Sequence, residues 1–225
     1  MENTEKKSVM RRLKDGFADL FFPQHCIFCR RVVEPQYLAI CDHCAKTLPA
    51  PPQSRKGEFF TKCVSVLPYE ESARTSVVRM KMGGRQGCLE TYGRMTAARV
   101  MQELNGEFDL ITWVPISSLR KASRGFDQDR LIAQAMAQAL EMPLVQTLKK
   151  KKNNRAQASM PTAAQRRKNV LNVYKPVHPE RYAGKRILLV DDVITTGATL
   201  SECSRVLLTA GAAKVVCATF AATNK

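Results

Sequence analysis

Two adjacent acids, Asp191 and Asp192, directly follow the apolar run Leu188–Val190. A continuous apolar run of this kind is typical of a strand that is buried on both faces of a parallel sheet. Carboxylates at the end of such a strand can accept hydrogen bonds from the two hydroxyl groups of a vicinal diol. The acid pair therefore predicts a binding site for a diol.

The segment after the acid pair predicts a phosphate site. Thr195, Thr196 and Thr199 supply hydroxyl groups, and Gly197 lets the backbone approach a ligand closely. A helix predicted from about Ala198 to Thr209 would direct its first N–H groups at the anion. The alternative is a threonine that only caps this helix beside solvated acids. The chain has neither a G-x-x-x-x-G-K-[ST] loop nor a G-x-G-x-x-G fingerprint, which excludes those two phosphate-binding motifs.

Four cysteines near the N-terminus form two C-x2-C pairs, Cys26 with Cys29 and Cys41 with Cys44, separated by eleven residues. Structural Zn²⁺ takes four thiolates in a tetrahedral arrangement, so this spacing predicts a zinc site. Two disulfides are an alternative, although no secretion signal supports them. A redox C-x2-C is another, but it normally occurs singly.

Other cysteines and histidines are given no chemical role. His25 and His43 lie beside ligand cysteines and could replace one of them, but with four thiolates at hand we interpret them as flanking residues. The remaining cysteines are scattered and are interpreted as small buried hydrophobic residues: Cys63, Cys88, Cys203 and Cys217.

From about Thr61 onward the sequence alternates predicted strands with predicted helices. The strands are predicted at Cys63–Tyr69, Leu110–Val114, Arg186–Val190 and Lys214–Phe220. Helices are predicted between them. One covers Thr91–Leu104, with Met95, Ala98 and Met101 on its apolar face and Tyr92 as a further candidate for that face. Another covers Leu131–Leu140, with Asp127 or Asp129 as its cap. The alternation predicts an α/β fold with a mostly parallel sheet flanked by helices, in which ligands bind at the carboxyl ends of the strands.

The length of 225 residues and a hydrophobic content of 44% are those of a globular protein and exclude disorder of the whole chain. The proline-rich segment Leu48–Pro52 predicts a linker, which divides the chain into a zinc-binding module with its N-terminal segment (1–52) and an α/β domain (53–225). No apolar run approaches the roughly 20 residues that cross a bilayer, and Met1–Leu20 lacks the apolar core of a signal peptide. We therefore expect no membrane span and a cytoplasmic location.

The net charge of +16, from 36 basic and 20 acidic residues, predicts an anionic partner. Nine basic residues and no acidic residue lie between Met142 and Pro179: Lys149, Lys150, Lys151, Lys152, Arg155, Arg166, Arg167, Lys168 and Lys175. This segment is either a solvated loop, a surface for nucleic acid or a flap over a phosphate ligand. Tyr174 is its one aromatic residue, which does not favour stacking on the bases of a single strand.

The run Leu188–Thr199 (LLVDDVITTGAT) resembles the phosphoribosyl-pyrophosphate (PRPP) loop of type I phosphoribosyltransferases. Val114-Pro115-Ile116 leading to Arg120, then Arg124–Gln128 (RGFDQ), together with the four-cysteine module, resemble the ComF family, which is tied to DNA uptake in competent bacteria. The resemblance extends from Cys26 to the last predicted strand. The family usually has Asn where this chain has Asp127.

This resemblance implies a type I phosphoribosyltransferase-like domain with a PRPP site. Asp191 and Asp192 would hold the ribose hydroxyls, directly or through Mg²⁺, and the turn from Pro115 to Arg120 would cradle the pyrophosphate. The residues implied for PRPP are Asp191, Asp192, Val193, Thr195, Thr196, Gly197, Ala198, Thr199, Pro115, Ser117, Arg120 and Arg124. Asp191, Asp192 and Arg120 are the candidate catalytic residues among them.

Two functions from different classes are consistent with these residues. The first is Mg²⁺-dependent transfer of the phosphoribosyl group to an acceptor that the sequence does not identify, in connection with DNA uptake and natural transformation. The second is a non-catalytic PRPP-sensing or scaffold protein that binds single-stranded DNA, or a competence helicase or recombination partner, during DNA uptake. Catalysis needs in addition a hood that recognises the acceptor, and no segment of the sequence identifies one.

Overall fold

The computed structural model describes residues 23–34, 38–82, 86–151 and 170–224. The chain divides into two compact units, Met1–Leu48 and Pro49–Lys225, called here the N-terminal unit and the C-terminal unit. The domain boundary predicted at residue 52 lies four residues beyond this division. No described helix is both long enough and apolar enough to cross a membrane.

Within residues 23–34 and 38–48, the N-terminal unit has two cysteine-bearing turns and one short helix. His25 and Val32 form an antiparallel bridge that closes the first turn, and the backbone N–H of Cys26 donates to the Arg31 carbonyl at 2.9 Å. Helix α1 (Asp42–Thr47) begins directly after Cys41. The unit buries a small apolar set: Cys26, Ile27, Phe28, Val33, Ala39, Ile40 and Cys44.

The C-terminal unit is organised around a parallel sheet, as the sequence predicts. In the described part of the chain it has four strands in the order β1-β6-β5-β2: β1 (Cys63–Pro68), β2 (Leu110–Trp113), β5 (Arg186–Ile194) and β6 (Lys214–Ala222). Strands β3 (Leu148–Lys150) and β4 (Tyr174–Pro176) form a separate antiparallel pair. The helices are α2 (Glu71–Lys81), α3 (Gln86–Leu104), α4 (Ser118–Arg124), α5 (Gln128–Leu140) and α6 (Ala198–Thr209).

Strand β5 extends further than the sequence predicts. The expected end was Val190, but β6 continues to Ala222 and holds β5 in register as far as Ile194. On the other side β2 ends with the pair Trp113 and Val190, so β5 runs beyond its shorter neighbour. Asp191 and Asp192 therefore lie within a strand, in the part that emerges beyond β2.

An ion pair joins the two strands where they begin. The carboxylate of Asp109 accepts a hydrogen bond from the backbone N–H of Arg186 at 2.8 Å and another from the Arg186 guanidinium at 2.5 Å. Hydrogen bonds from Arg186 hold the pKa of Asp109 down at about 2. This pairing fixes the register of β2 against β5 at the end opposite the acid pair.

The buried face of α3 differs from the predicted one. Of the predicted face, Ala98 is exposed and Met101 is 50% exposed, while the further candidate Tyr92 is buried as expected. Leu89 and Val100, which the prediction did not include, are also buried. The Tyr92 ring meets the Phe220 ring of β6 edge-on, with 4.3 Å between the ring centroids. The predicted face of α3 was wrong because it was based on side-chain hydrophobicity alone. The small residue Gly93 determines which side of α3 packs against α5.

Gly93 is where α3 and α5 approach most closely. A Cβ at this position would lie 2.4 Å from the Cβ of Ala135 and 2.7 Å from the carbonyl oxygen of Ile132. Both atoms belong to α5, and the second is backbone, so the clash could be relieved only by moving the two helices apart.

We predict that Gly93→Ala destabilises the protein by about 1–3 kcal/mol, the usual cost of overpacking. Urea unfolding followed by circular dichroism measures the change. The sign is diagnostic, because alanine at an unconstrained helical position stabilises a helix by about 1 kcal/mol relative to glycine. A higher midpoint for Gly93→Ala would contradict the close helix contact.

Candidate functional site

The acid pair lies at the edge of the sheet beyond the end of β2. Asp192 is 7% exposed and Asp191 is half-buried. The Asp191 carboxylate accepts a hydrogen bond from the backbone N–H of Asp192 at 2.9 Å. Burial, together with the neighbouring charge of Asp192, raises the pKa of Asp191 to about 7. Such a pair can accept hydrogen bonds from the hydroxyl groups of a ligand, or it can bind a cation that neutralises its charge.

The turn after β5 leads through Gly197 directly into α6. Gly197 adopts a positive φ of 77° and directly precedes α6, a helix of 12 residues. The N–H of Ala198 donates to the Thr196 hydroxyl at 3.4 Å, and the Thr195 carbonyl accepts from the guanidinium of Arg55 at 3.0 Å. Residues 195–199 are all half-buried. A helix N-terminus with hydroxyl groups around it is a favourable place for a phosphate.

A cavity of about 540 Å³ lies beside this turn. Thr196, Gly197 and Ala198 form one wall, and Phe60 lies under the glycine, with a ring atom 3.8 Å from where a Cβ would be. Charged residues of both signs also line it: Arg55, Lys56, Glu58, Glu202 and Arg205. The turn is thus open on one side to a space with mixed charges around it.

The segment after β2 is a short loop followed by a helix, where the sequence predicts a single turn from Pro115 to Arg120. Pro115 and Ser117 are buried, and the Ser117 hydroxyl caps α4 by accepting the backbone N–H of Arg120 at 3.4 Å. Arg120 and Arg124 are therefore helical residues, both half-buried. The sequence does not reveal α4, because its seven residues, SLRKASR, carry a single large apolar side chain.

Lys150 of β3 is a second cation, near enough to Arg120 for their charges to interact. Its ammonium group lies 5.5 Å from the centre of the Tyr174 ring. Burial and the charge of Arg120 lower the pKa of Lys150 to about 8, while Asp191 acts in the opposite direction. Of the predicted basic segment, Lys152, Arg155, Arg166, Arg167 and Lys168 lie outside the described residues.

Lys81, the last residue of α2, is a site residue that the sequence analysis did not identify. Its ammonium nitrogen lies 2.8 Å from a carboxylate oxygen of Asp192. Burial by itself would lower the pKa of Lys81, but the carboxylate of Asp192 outweighs it and the pKa is raised. Lys81 therefore stays charged and acts as a counter-ion inside the acid cluster.

Asp129 is a third acid at the same place. One carboxylate oxygen each from Asp129, Asp191 and Asp192 lies within 4.8 Å of the others. The sequence offered Asp127 or Asp129 as the cap of α5, and the structure gives this role to Asp127, whose carboxylate accepts the N–H of Arg130 at 3.2 Å. Asp129 is 3% exposed, and burial and the neighbouring carboxylates raise its pKa well above its ordinary value.

The four predicted metal ligands come together in the N-terminal unit. The sulfur atoms of Cys26, Cys29, Cys41 and Cys44 lie within 4.8 Å of one another, with 3.6 Å between those of Cys29 and Cys41. Four thiolates bound to one Zn²⁺ at about 2.3 Å would be about 3.8 Å apart, so the donor set fits this ion. Burial would raise the pKa of Cys26, but backbone N–H groups lower it to about 7, whereas burial and the neighbouring cysteines raise the pKa of Cys44 to about 12.

The other cysteines do not join this cluster. Cys63, Cys203 and Cys217 are buried in the C-terminal unit, Cys88 is half-buried on α3, and all eight cysteines are free thiols. The cluster found among the described residues contains no histidine, which agrees with His25 and His43 as flanking residues.

Comparison with known proteins shows what this chain resembles. The phosphoribosyl transferase domain family matches residues 130–225. The DNA utilization protein YhgH of Salmonella typhi is 28% identical over 200 residues, which cover 84% of this chain and 86% of that protein. Competence protein F of Haemophilus influenzae is 26% identical over 219 residues, 87% of this chain and 95% of that one. The resemblance to the ComF family is confirmed.

Two further similarities are found. Competence protein ComFC of Bacillus subtilis is 26% identical over 152 residues, 68% of this chain and 60% of that protein. A glutamine PRPP amidotransferase from B. subtilis has 28% sequence identity and a TM-score of 0.40, over 60% of this chain and 26% of that enzyme. The region matched by the family contains β5, α6 and β6, and therefore the acid pair and the turn. The C-terminal unit is a phosphoribosyltransferase-like α/β domain.

Proposed function

We propose that this ComF-type protein binds PRPP with Mg²⁺ and transfers its phosphoribosyl group to an acceptor, in the cytoplasm, in a process connected with DNA uptake. One observation carries the proposal: an acid pair on an emergent strand leads directly into a glycine-containing turn that opens a 12-residue helix. The names of its relatives, a competence protein and a DNA utilization protein, support the biological connection.

Each part of PRPP has a matching group at this edge of the sheet. The 5′-phosphate would bind to the N–H groups and hydroxyls of residues 195–199, and the ribose hydroxyls to Asp191 and Asp192. The pyrophosphate would lie over Pro115 and Ser117, near Arg120 and Arg124. Val193 follows the acid pair within β5 and would contact the ribose.

Transfer of the phosphoribosyl group requires electrostatic stabilisation from the protein rather than a protein nucleophile, because the acceptor itself attacks the sugar. As the bond between C1 of the ribose and the pyrophosphate oxygen breaks, negative charge grows on the leaving group and positive charge on the sugar. Arg120 is placed to stabilise the first, and the carboxylates of Asp191 and Asp192 to stabilise the second. Groups already held where charge develops lower the barrier most. Mg²⁺ would supply further neutralisation of the pyrophosphate, with oxygen ligands and water around it.

We predict that PRPP with Mg²⁺ raises the melting temperature, because a ligand that binds only the folded state stabilises it. At a concentration of about 100 times Kd the gain is about 2.7 kcal/mol, or roughly 5–10 °C for a domain of this size. The double variant Asp191→Asn/Asp192→Asn should lose the shift. Differential scanning fluorimetry measures it, with Glu90→Gln, an exposed carboxylate on α3, as the control that keeps it. An unchanged wild-type melting curve at millimolar PRPP would contradict the proposal.

A second candidate is a non-catalytic PRPP sensor or scaffold that binds single-stranded DNA, or a competence helicase or recombination partner. It is favoured by the net charge of +16 and by the concentration of basic residues between Met142 and Pro179. PRPP binding is common to both candidates. They differ in whether pyrophosphate is released.

We predict that the protein releases pyrophosphate from PRPP in the presence of at least one member of a panel of purine and pyrimidine bases. Arg120→Ala should lower kcat about a hundredfold or more, the usual loss when a donor to developing charge is removed. Lys121→Ala, an exposed cation on the same helix, is the matched control and should be nearly normal. If no base gives pyrophosphate release and the protein binds DNA in a salt-sensitive way, the scaffold function is favoured instead.

The four-cysteine cluster is proposed to bind structural Zn²⁺. The described residues of the N-terminal unit bury few apolar side chains, so the metal would contribute much of the folding free energy of this part. Thiolates held for a metal also require a reducing compartment, which is consistent with the proposed location.

We predict about one zinc per chain by elemental analysis of the purified protein. Cys26→Ser should lose most of the zinc, because a hydroxyl is a poor zinc ligand. Cys88→Ser, which changes a thiol outside the cluster, should keep it. A wild-type protein that is folded throughout but contains no metal would refute the site.

A further inference from the structure

Three carboxylates from two elements meet at the edge of the sheet. Asp191 and Asp192 come from β5, and Asp129 from the second residue of α5, 62 and 63 positions earlier in the chain. Their oxygens lie within 4.8 Å of one another. Two of the three, Asp129 and Asp192, are more than nine-tenths buried. This is an arrangement in which like charges repel at short range with little water to screen them.

One oxygen of this cluster has no hydrogen-bond partner among the described residues. Asp129 is 3% exposed, and its Oδ1 atom is unpartnered, while its Oδ2 atom accepts only a long bond of 3.4 Å from the Gln128 side chain. The Gln128 carbonyl oxygen beside it is also buried and unpartnered. An unsatisfied buried carboxylate oxygen is costly, and a bound cation is one of the few groups that satisfies it.

The charges around the cluster leave room for a divalent cation. Lys81, the cation paired with Asp192, offsets only part of the negative charge that the three carboxylates carry when they are ionised. A divalent cation would stabilise the ionised carboxylates, which burial and mutual repulsion otherwise oppose. Mg²⁺ and Mn²⁺ prefer oxygen ligands, and opposite oxygens around octahedral Mg²⁺ are about 4.2 Å apart. The three oxygens, all within 4.8 Å of one another, are near enough to bind one ion together.

We propose that Asp129, Asp191 and Asp192 form a binding site for Mg²⁺ or Mn²⁺ that fills before PRPP binds, with Lys81 as the counter-ion that partly neutralises the empty site. Its place in catalysis rests on the proposed function, but the binding of the cation does not require PRPP. When the site is filled, Lys81 is released from Asp192 and is available to an anionic ligand. The protein would then bind the cation first and PRPP second.

The test is a titration of the full-length protein with Mn²⁺ in the absence of PRPP, followed by electron paramagnetic resonance, since free Mn²⁺ gives a strong signal that bound Mn²⁺ loses. Competition with Mg²⁺ establishes whether the two ions share the site. We expect one site that Mg²⁺ competes for. Asp129→Asn should weaken Mn²⁺ binding at least tenfold.

Asp127→Asn is the matched control. Asp127 is two residues away on the same segment but outside the cluster, and asparagine caps a helix as well as aspartate does. Its Mn²⁺ affinity should stay within about twofold of the wild type. Melting curves without metal show whether each variant is folded. Asp129→Asn should melt no lower than the wild type, because asparagine has nearly the same shape and removes a carboxyl whose ionisation is opposed by burial and by its acidic neighbours.

Lys81→Met supplies an independent test that leaves all three carboxylates in place. Removing the competing ammonium group should tighten Mn²⁺ binding about fivefold to tenfold. The proposal is overturned if the wild type binds no Mn²⁺ without PRPP, if Asp129→Asn binds it as well as the wild type does, or if Lys81→Met weakens binding. None of these results depends on the PRPP-induced melting shift, so the cation site and the PRPP site can fail separately.

Discussion

The rest of the site depends on one constraint, the electrostatic repulsion between three carboxylates that are largely shielded from solvent. Asp129, Asp191 and Asp192 are held together although burial and mutual repulsion raise the pKa of both Asp129 and Asp191. Lys81 offsets part of this cost through its ion pair with Asp192. An arrangement that opposes its own folding in this way is characteristic of functional sites, where the missing compensation comes from a ligand.

The fold makes this arrangement by differences in strand length and by the ends of helices. Because β2 ends opposite Val190 and β6 continues to Ala222, β5 is supported on one side only where its acids lie. The last residue of α2, the first turn of α5 and the start of α6 all reach this edge. The Asp109 pair with Arg186 and the close contact at Gly93 lie away from the edge, and they fix the strands and helices whose ends form it.

Local patterns made part of this site predictable from the sequence. The apolar run before Asp191, the glycine at the turn and the two C-x2-C pairs are each contained within about twenty residues, so their meaning does not depend on the tertiary fold. Lys81 and Asp129 could not be predicted, because their roles come from contacts with residues more than sixty positions away. The buried face of α3 was predicted wrongly for a related reason: Gly93 gives no hydrophobic signal, yet it decides which side faces α5.

The most direct test of the central claim, that this edge of the sheet is a PRPP site, is a crystal structure of the protein with PRPP and Mg²⁺. We expect the 5′-phosphate on the backbone N–H groups of residues 196–199, the ribose hydroxyls within hydrogen-bonding reach of Asp191 and Asp192 or of a metal ion bound to them, and the pyrophosphate beside Arg120. The account would be contradicted by PRPP bound elsewhere on the protein. It would also be contradicted by a crystal soaked in saturating PRPP and Mg²⁺ that shows no ligand at this edge.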